Sequence, residues 1–194
     1  RPTGMKGVDH VFGGGLPRVG AVLLCAKEGI GKTSWLVELL LNLRVRSLLL
    51  STEQSKDDLV RQFVRFGHDR LLRASRHMSI ESETDWDKIL DIIEDHKPRV
   101  LALDSLHDIE GIYDDNDNPL SSGGDRAVTR IAKVIQRLSR KLGFFALLVG
   151  HMANDGTMMG GAHLRHAVDG VLGLYRLSDE EKDTRRILRF KGKA

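Results

Sequence analysis

The chain has 194 residues, 41% of them hydrophobic, which suffices for one domain with a substantial core. Thirty basic residues against twenty-seven acidic ones leave a net charge of +3, a mild bias towards anionic partners, and no run approaches the roughly eighteen apolar residues of a membrane-spanning helix. A single cysteine excludes an internal disulfide framework and a multi-cysteine zinc site, so the expected compartment is a reducing cytoplasm.

Short apolar runs alternate with longer amphipathic ones along the chain. That alternation predicts an α/β fold, a mostly parallel twisted sheet with helices on both faces. Strands are expected at Ala21 to Cys25, Ser47 to Ser51, Val100 to Asp104, Phe145 to Gly150, Gly170 to Tyr175 and Arg186 to Phe190. Helices are expected at Lys32 to Arg44, Lys56 to Phe66, Trp86 to His96 and Arg126 to Leu142, the last from apolar residues recurring at helical spacing. No repeat or linker divides residues 1–194, which read as a single domain. The end at Lys191-Gly192-Lys193-Ala194, directly after a strand, suggests a domain trimmed from a longer protein.

The most informative segment is Ala26-Lys27-Glu28-Gly29-Ile30-Gly31-Lys32-Thr33, which leaves a strand and opens a helix. Successive backbone N–H groups of Glu28 to Ser34 in such a loop form a nest for an anion, aided by the helix dipole. Lys32 brings a charge to the outer phosphates of a nucleotide, and the Thr33 hydroxyl is placed to ligate Mg²⁺. The pattern therefore predicts ATP and Mg²⁺ as ligands. A second motif, Val100-Leu101-Ala102-Leu103-Asp104, ends an apolar strand in a carboxylate. Asp104 then stands in the crevice at the carboxyl edge of the sheet, where it can support the metal beside Thr33.

Hydrolysis also needs a base for water. Ser105 follows Asp104, so the candidate lies elsewhere, at Glu53 beyond the strand Ser47 to Ser51. Placed instead at the start of the next helix, the same acid would only complement the dipole. His151, at the tip of the strand from Phe145, is a candidate sensor of the terminal phosphate. His163 and His166 are three apart and could share a helix face, with no further metal ligand near them in sequence. Cys25 reads as core.

Several segments together resemble one family. Thr3-Gly4-Met5-Lys6-Gly7-Val8-Asp9 followed by Gly13-Gly14-Gly15-Leu16 is similar to the N-terminal segment of RecA/RadA/KaiC-type ATPases. Ser51-Thr52-Glu53-Gln54-Ser55 resembles the stretch carrying their catalytic glutamate. Asp104-Ser105-Leu106-His107 resembles the Walker B segment of the bacterial RadA branch, with His107 where Gln is more usual. Gly150-His151-Met152, Gly156, Gly160-Gly161, Leu164, His166 and Val168-Asp169 resemble the RadA stretch after the sensor strand.

The resemblance implies a RecA-like P-loop core that self-associates head-to-tail into a ring, expected to be a hexamer, or a filament. ATP would lie at each subunit boundary. It implies action on DNA in recombination and repair, and a basic pair, matched here by Lys191 and Lys193, that reaches the neighbour's phosphate. In such motors two loops touch DNA. Here the first, Asp108 to Asp125, carries six carboxylates and no Lys or Arg, so it should repel phosphate; the second, Met152 to His166, offers Arg165. Arg61, Arg65, Arg70, Arg73 and Arg76 form the densest basic run, read as the solvated face of an amphipathic helix. Two other activities fit the same residues: a KaiC-like regulatory ATPase acting on protein partners, favoured by the acidic loop, and a P-loop small-molecule kinase.

Overall fold

A computed structural model describes residues 1–152, 161–176 and 185–192, the last stretch through its backbone and the side chains of Ile187 and Leu188. In chain order the elements are α1 (Lys6–Val11), β1 (Gly20–Ala26), α2 (Lys32–Asn42), β2 (Ser47–Ser51), α3 (Lys56–Arg65), α4 (His68–Ala74), β3 (Met78–Ser82), α5 (Trp86–His96), β4 (Val100–Asp104), α6 (Asp125–Leu142), β5 (Phe145–His151), α7 (Gly161–His166), β6 (Gly170–Arg176) and β7 (Arg185–Gly192). The strands form one sheet in the order β3-β2-β4-β5-β1-β6-β7, parallel throughout except that β7 runs against β6.

The pleat explains why β1, β2 and β4 are apolar without alternation. Successive side chains point to opposite faces, and each face carries its own core. Val22, Leu24 and Ala26 of β1 join Leu49 and Ala102 beneath Leu36, Leu40, Leu59 and Phe63 of α2 and α3. Ala21, Leu23 and Cys25 join Leu48, Leu50, Leu101 and Leu103 beneath α5 and α6, through Ile89, Ile93, Val128, Ile131 and Ile135. Burial drives the Cys25 thiol up to about 12, so it is a packing residue and not a nucleophile. No helix among the described residues is long and apolar enough to cross a membrane.

Every expected strand and helix is present, with ends shifted by two residues at most. Four elements go beyond the sequence reading: α1, α4, α7 and β3. The edge strand β3 buries only Met78 and Ile80, too weak a pattern to stand out from loop. The run from Arg61 to Arg76 is not one helix. Gly67, at φ 118°, breaks it into α3 and α4. Arg61 pairs with Asp58, and Arg70 forks onto Glu38 of α2 at 2.8 and 3.0 Å, so part of that charge is spent on holding helices together.

Candidate nucleotide site

The carboxyl ends of β1, β2, β4 and β5 converge on one crevice. From β1 the chain passes through Lys27-Glu28-Gly29-Ile30-Gly31 into α2. Gly29 (φ 72°) and Gly31 (φ 93°) both occupy left-handed backbone, which a side chain would strain. Nothing lies within 4 Å of where a Cβ of Gly29 would stand, so conformation rather than crowding demands glycine there. Glu28 and Ser34 are exposed, whereas Ile30 packs partly against the core beside α2.

Lys32 is only 9% exposed, yet among the described residues its ammonium has one long polar contact, 3.5 Å from Nδ1 of His151. A cation so withdrawn from water is stabilised by an anion brought to it. Thr33 Oγ1 donates to Asp104 Oδ2 at 2.5 Å, joining the loop to the tip of β4. The other oxygen, Asp104 Oδ1, is buried without a hydrogen-bond partner among the described residues. Burial, only partly offset by Thr33, pushes the Asp104 carboxyl above the usual carboxylate range. An orphaned carboxylate oxygen beside a threonine hydroxyl fits a hard, oxygen-seeking cation. Among the described residues no group of three or more His, Cys, Asp or Glu is arranged to hold a metal by itself.

Glu53 does not begin a helix. Ser55 caps α3 by accepting from the Asp58 N–H, which leaves Glu53 on the connection from β2, at the mouth of the crevice. Thr52 pins that connection: its hydroxyl donates to the Ser105 carbonyl and accepts from the Ser105 N–H, both at 2.9 Å. His151 Nε2 lies 3.1 Å from Glu53 Oε1. Lysine can only donate, so a neutral imidazole accepting at Nδ1 and donating from Nε2 satisfies both contacts. The hydrogen bond from His151, with a second from Ser105, holds the Glu53 carboxyl down at about 2 against the opposing effect of burial.

Sequence reasoning noted His107 only as a replacement, and the structure makes it part of the crevice. Its ring meets that of His151 edge to face, centroids 4.8 Å apart, and both its nitrogens are buried without hydrogen-bond partners among the described residues. Burial lowers its pKa from 6.5 to about 4, and the neighbouring His151 ring acts in the same direction whenever it is protonated. Protonation thus costs more in the folded chain than in the unfolded one. Between about pH 6.5 and 4 the unfolded chain binds more protons, and stability falls as pH is lowered. Denaturant midpoints for His107→Gln should vary less over that window than those of the parent; parallel profiles would contradict this burial.

A cavity of about 620 Å³ adjoins the loop at Gly31 and Ser34, with Met5, Trp35 and Ile187 among its walls. The backbone of Lys191 pairs with Val171 in the sheet, whereas Lys193 lies outside the described residues. His163 and His166 both fall on the short helix α7.

A family model for the ATPase KaiC matches residues 1–192. The chain belongs to the KaiC family of ATPases. It is an ATPase with a RecA-like core, and the seven-stranded sheet is the fold that membership entails. Among curated proteins it is similar to DNA repair protein RadA of Halalkalibacterium halodurans, 33% identical over 190 residues that make up 96% of this chain and 39% of the relative. The Pseudomonas aeruginosa RadA is 32% identical over 88% of this chain and 36% of its own length. For Escherichia coli RadA the values are 28%, 86% and 35%. The chain thus spans well under half the length of these relatives.

Proposed function

We propose that this KaiC-family ATPase is a RadA-like motor domain that hydrolyses ATP at the boundaries between subunits and acts on DNA in recombination and repair. The observation that carries the reading is the convergence of Lys32, Thr33, Asp104, Glu53 and His151 on one crevice. The amides of Gly29 to Ser34 and the Lys32 ammonium bind the phosphates, and the cavity beside Trp35 receives the nucleoside. Thr33 and Asp104 would hold Mg²⁺, whose chemistry is to neutralise charge on the phosphate oxygens.

Glu53 orients the attacking water. The water oxygen bonds to the γ-phosphorus, the bond to the bridging oxygen breaks, and ADP leaves with the electron pair. The water's proton passes to Glu53 and then to the phosphate product. A carboxylate held at about 2 by His151 is a weak base. Lys32 turning from His151 to phosphate frees the imidazole, and loosening of the Glu53–His151 contact restores the carboxylate's basicity. His151 in this way couples phosphate arrival to activation of the base.

Lys191 and Lys193 complete a neighbour's site. Specific ATPase activity should then fall as the protein is diluted through the concentration at which it self-associates; activity independent of concentration would contradict a shared site. A regulatory ATPase acting on a protein partner is the second reading, favoured by the carboxylates of residues 108–125. DNA-stimulated hydrolysis with a steep salt dependence decides for the motor, and stimulation by protein alone decides against it.

A further inference from the structure

The parallel pairing of β2 with β4 ends where the chemistry begins. Its last register pair is Ser51 with Asp104, after which the Thr52 N–H donates to the Asp104 carbonyl at 2.8 Å. Beyond that point a side chain takes over from the ladder. The Thr52 hydroxyl donates to the Ser105 carbonyl and accepts from the Ser105 N–H, both at 2.9 Å. Thr52 is 9% exposed and Ser105 fully buried, so both bonds lie away from solvent, where a hydrogen bond is electrostatically stronger.

Ser105 is also tied on its other side. The N–H of the next residue, Leu106, donates to the Val149 carbonyl at 3.1 Å, two residues before His151. The turn after Asp104 is therefore stretched between the strand that leads to Glu53 and the strand that ends in His151. The Ser105 hydroxyl itself lies 3.1 Å from Asp108 Oδ2 and also serves the Glu53 carboxylate as a hydrogen-bond donor. A hydroxyl has a single proton to give, so the two carboxylates share it. Asp108 is exposed and can turn to water instead. Where Ser105 stands thus decides how the Glu53 carboxylate is held.

We propose, resting on Glu53 as the base of the function given above, that Thr52 is a positioning residue for hydrolysis. Through Ser105, its hydroxyl sets the Glu53 carboxylate at a fixed place relative to the strand that carries Asp104, touching neither nucleotide nor water. Valine in its place keeps the shape and the burial but can neither donate nor accept. The buried N–H and carbonyl of Ser105 then lose these bonds, and the turn must shift to replace them. The phosphate contacts come from the amides of Gly29 to Ser34 and from Lys32, which the shift leaves alone, so turnover should suffer and binding should not.

Steady-state ATPase kinetics, an ATP titration and a thermal melt of the full chain test this. Thr52→Val should lower kcat about 10- to 100-fold, the cost of a catalytic group misplaced by roughly 1 Å, with KM and ATP affinity within a few-fold of the parent. Thr52→Ser loses the methyl but keeps the hydroxyl, and should restore kcat to near the parent's. Thr52→Val combined with Glu53→Gln should be no slower than Glu53→Gln alone, because the clasp acts through that carboxylate. Parent-like kcat in Thr52→Val beside a slow Glu53→Gln would overturn the positioning role and leave the base in place. Equal losses in the valine and serine variants, a double variant slower than Glu53→Gln, or a valine variant that fails to fold or to bind ATP would also overturn it, since each makes Thr52 a packing residue. Parent-like turnover in Glu53→Gln would instead remove the base on which the role depends.

Discussion

Glu53→Gln should lower ATP turnover about 10²- to 10⁴-fold while leaving ATP affinity within a few-fold of the parent, the range expected for loss of a general base. Glutamine keeps the shape of the side chain and still accepts from His151 Nε2, 3.1 Å away in the parent. It cannot take the water's proton. The Thr52 clasp on Ser105 is backbone-directed and untouched, so the connection carrying residue 53 stays in place. Steady-state turnover and a nucleotide titration on the same preparation separate the two effects. Parent-like turnover would remove Glu53 from the chemistry. Joint loss of turnover and binding would make it a structural residue of the loop.

The second large effect is expected at Lys32. Replacement by Met removes a charge-assisted contact of about 1.5–3 kcal/mol, weakening ATP binding roughly 10- to 150-fold and abolishing useful turnover. Its effect on stability should have the opposite sign. Lys32 is buried, and among the described residues its hydrogen-bond-range contact is the 3.5 Å approach to an imidazole, so in the nucleotide-free protein the charge is offset only by the Glu53 and Asp104 carboxyl groups acting without a direct hydrogen bond. An apolar residue of similar length should stabilise that state by about 1 kcal/mol or more, roughly 2–4 °C in Tm for a domain of this size. A parent protein stabilised by ATP and a variant stabilised only in its absence would together identify Lys32 as a group that folding tolerates for binding. A variant less stable without nucleotide would show the lysine to be part of the core.

What the sequence discloses follows from what each element buries. Leu48-Leu49-Leu50 and Leu101-Ala102-Leu103 sit between two helical layers, and that double burial writes an unbroken apolar run. The phosphate loop is legible because its two left-handed positions leave glycine as the residue of choice. Edge strand β3 and the short helices α1, α4 and α7 bury too little to leave a pattern.

At the site, the residues were legible and their connections were not. Glu53, Asp104 and His151 are each announced by a strand end, but the bridge from Lys32 through His151 to Glu53 spans 98 and 119 positions of chain. His107 gave a signal only as an unusual residue in a familiar place.

A crystal structure with Mg²⁺ and a non-hydrolysable ATP analogue addresses the nucleotide site most directly. The triphosphate should lie along the amides of Gly29 to Ser34, with Lys32 Nζ withdrawn from His151 onto phosphate and the Glu53 carboxylate turned towards the γ-phosphorus. A nucleotide bound anywhere else, or one in the loop with the Lys32–His151–Glu53 chain unchanged, would contradict the account.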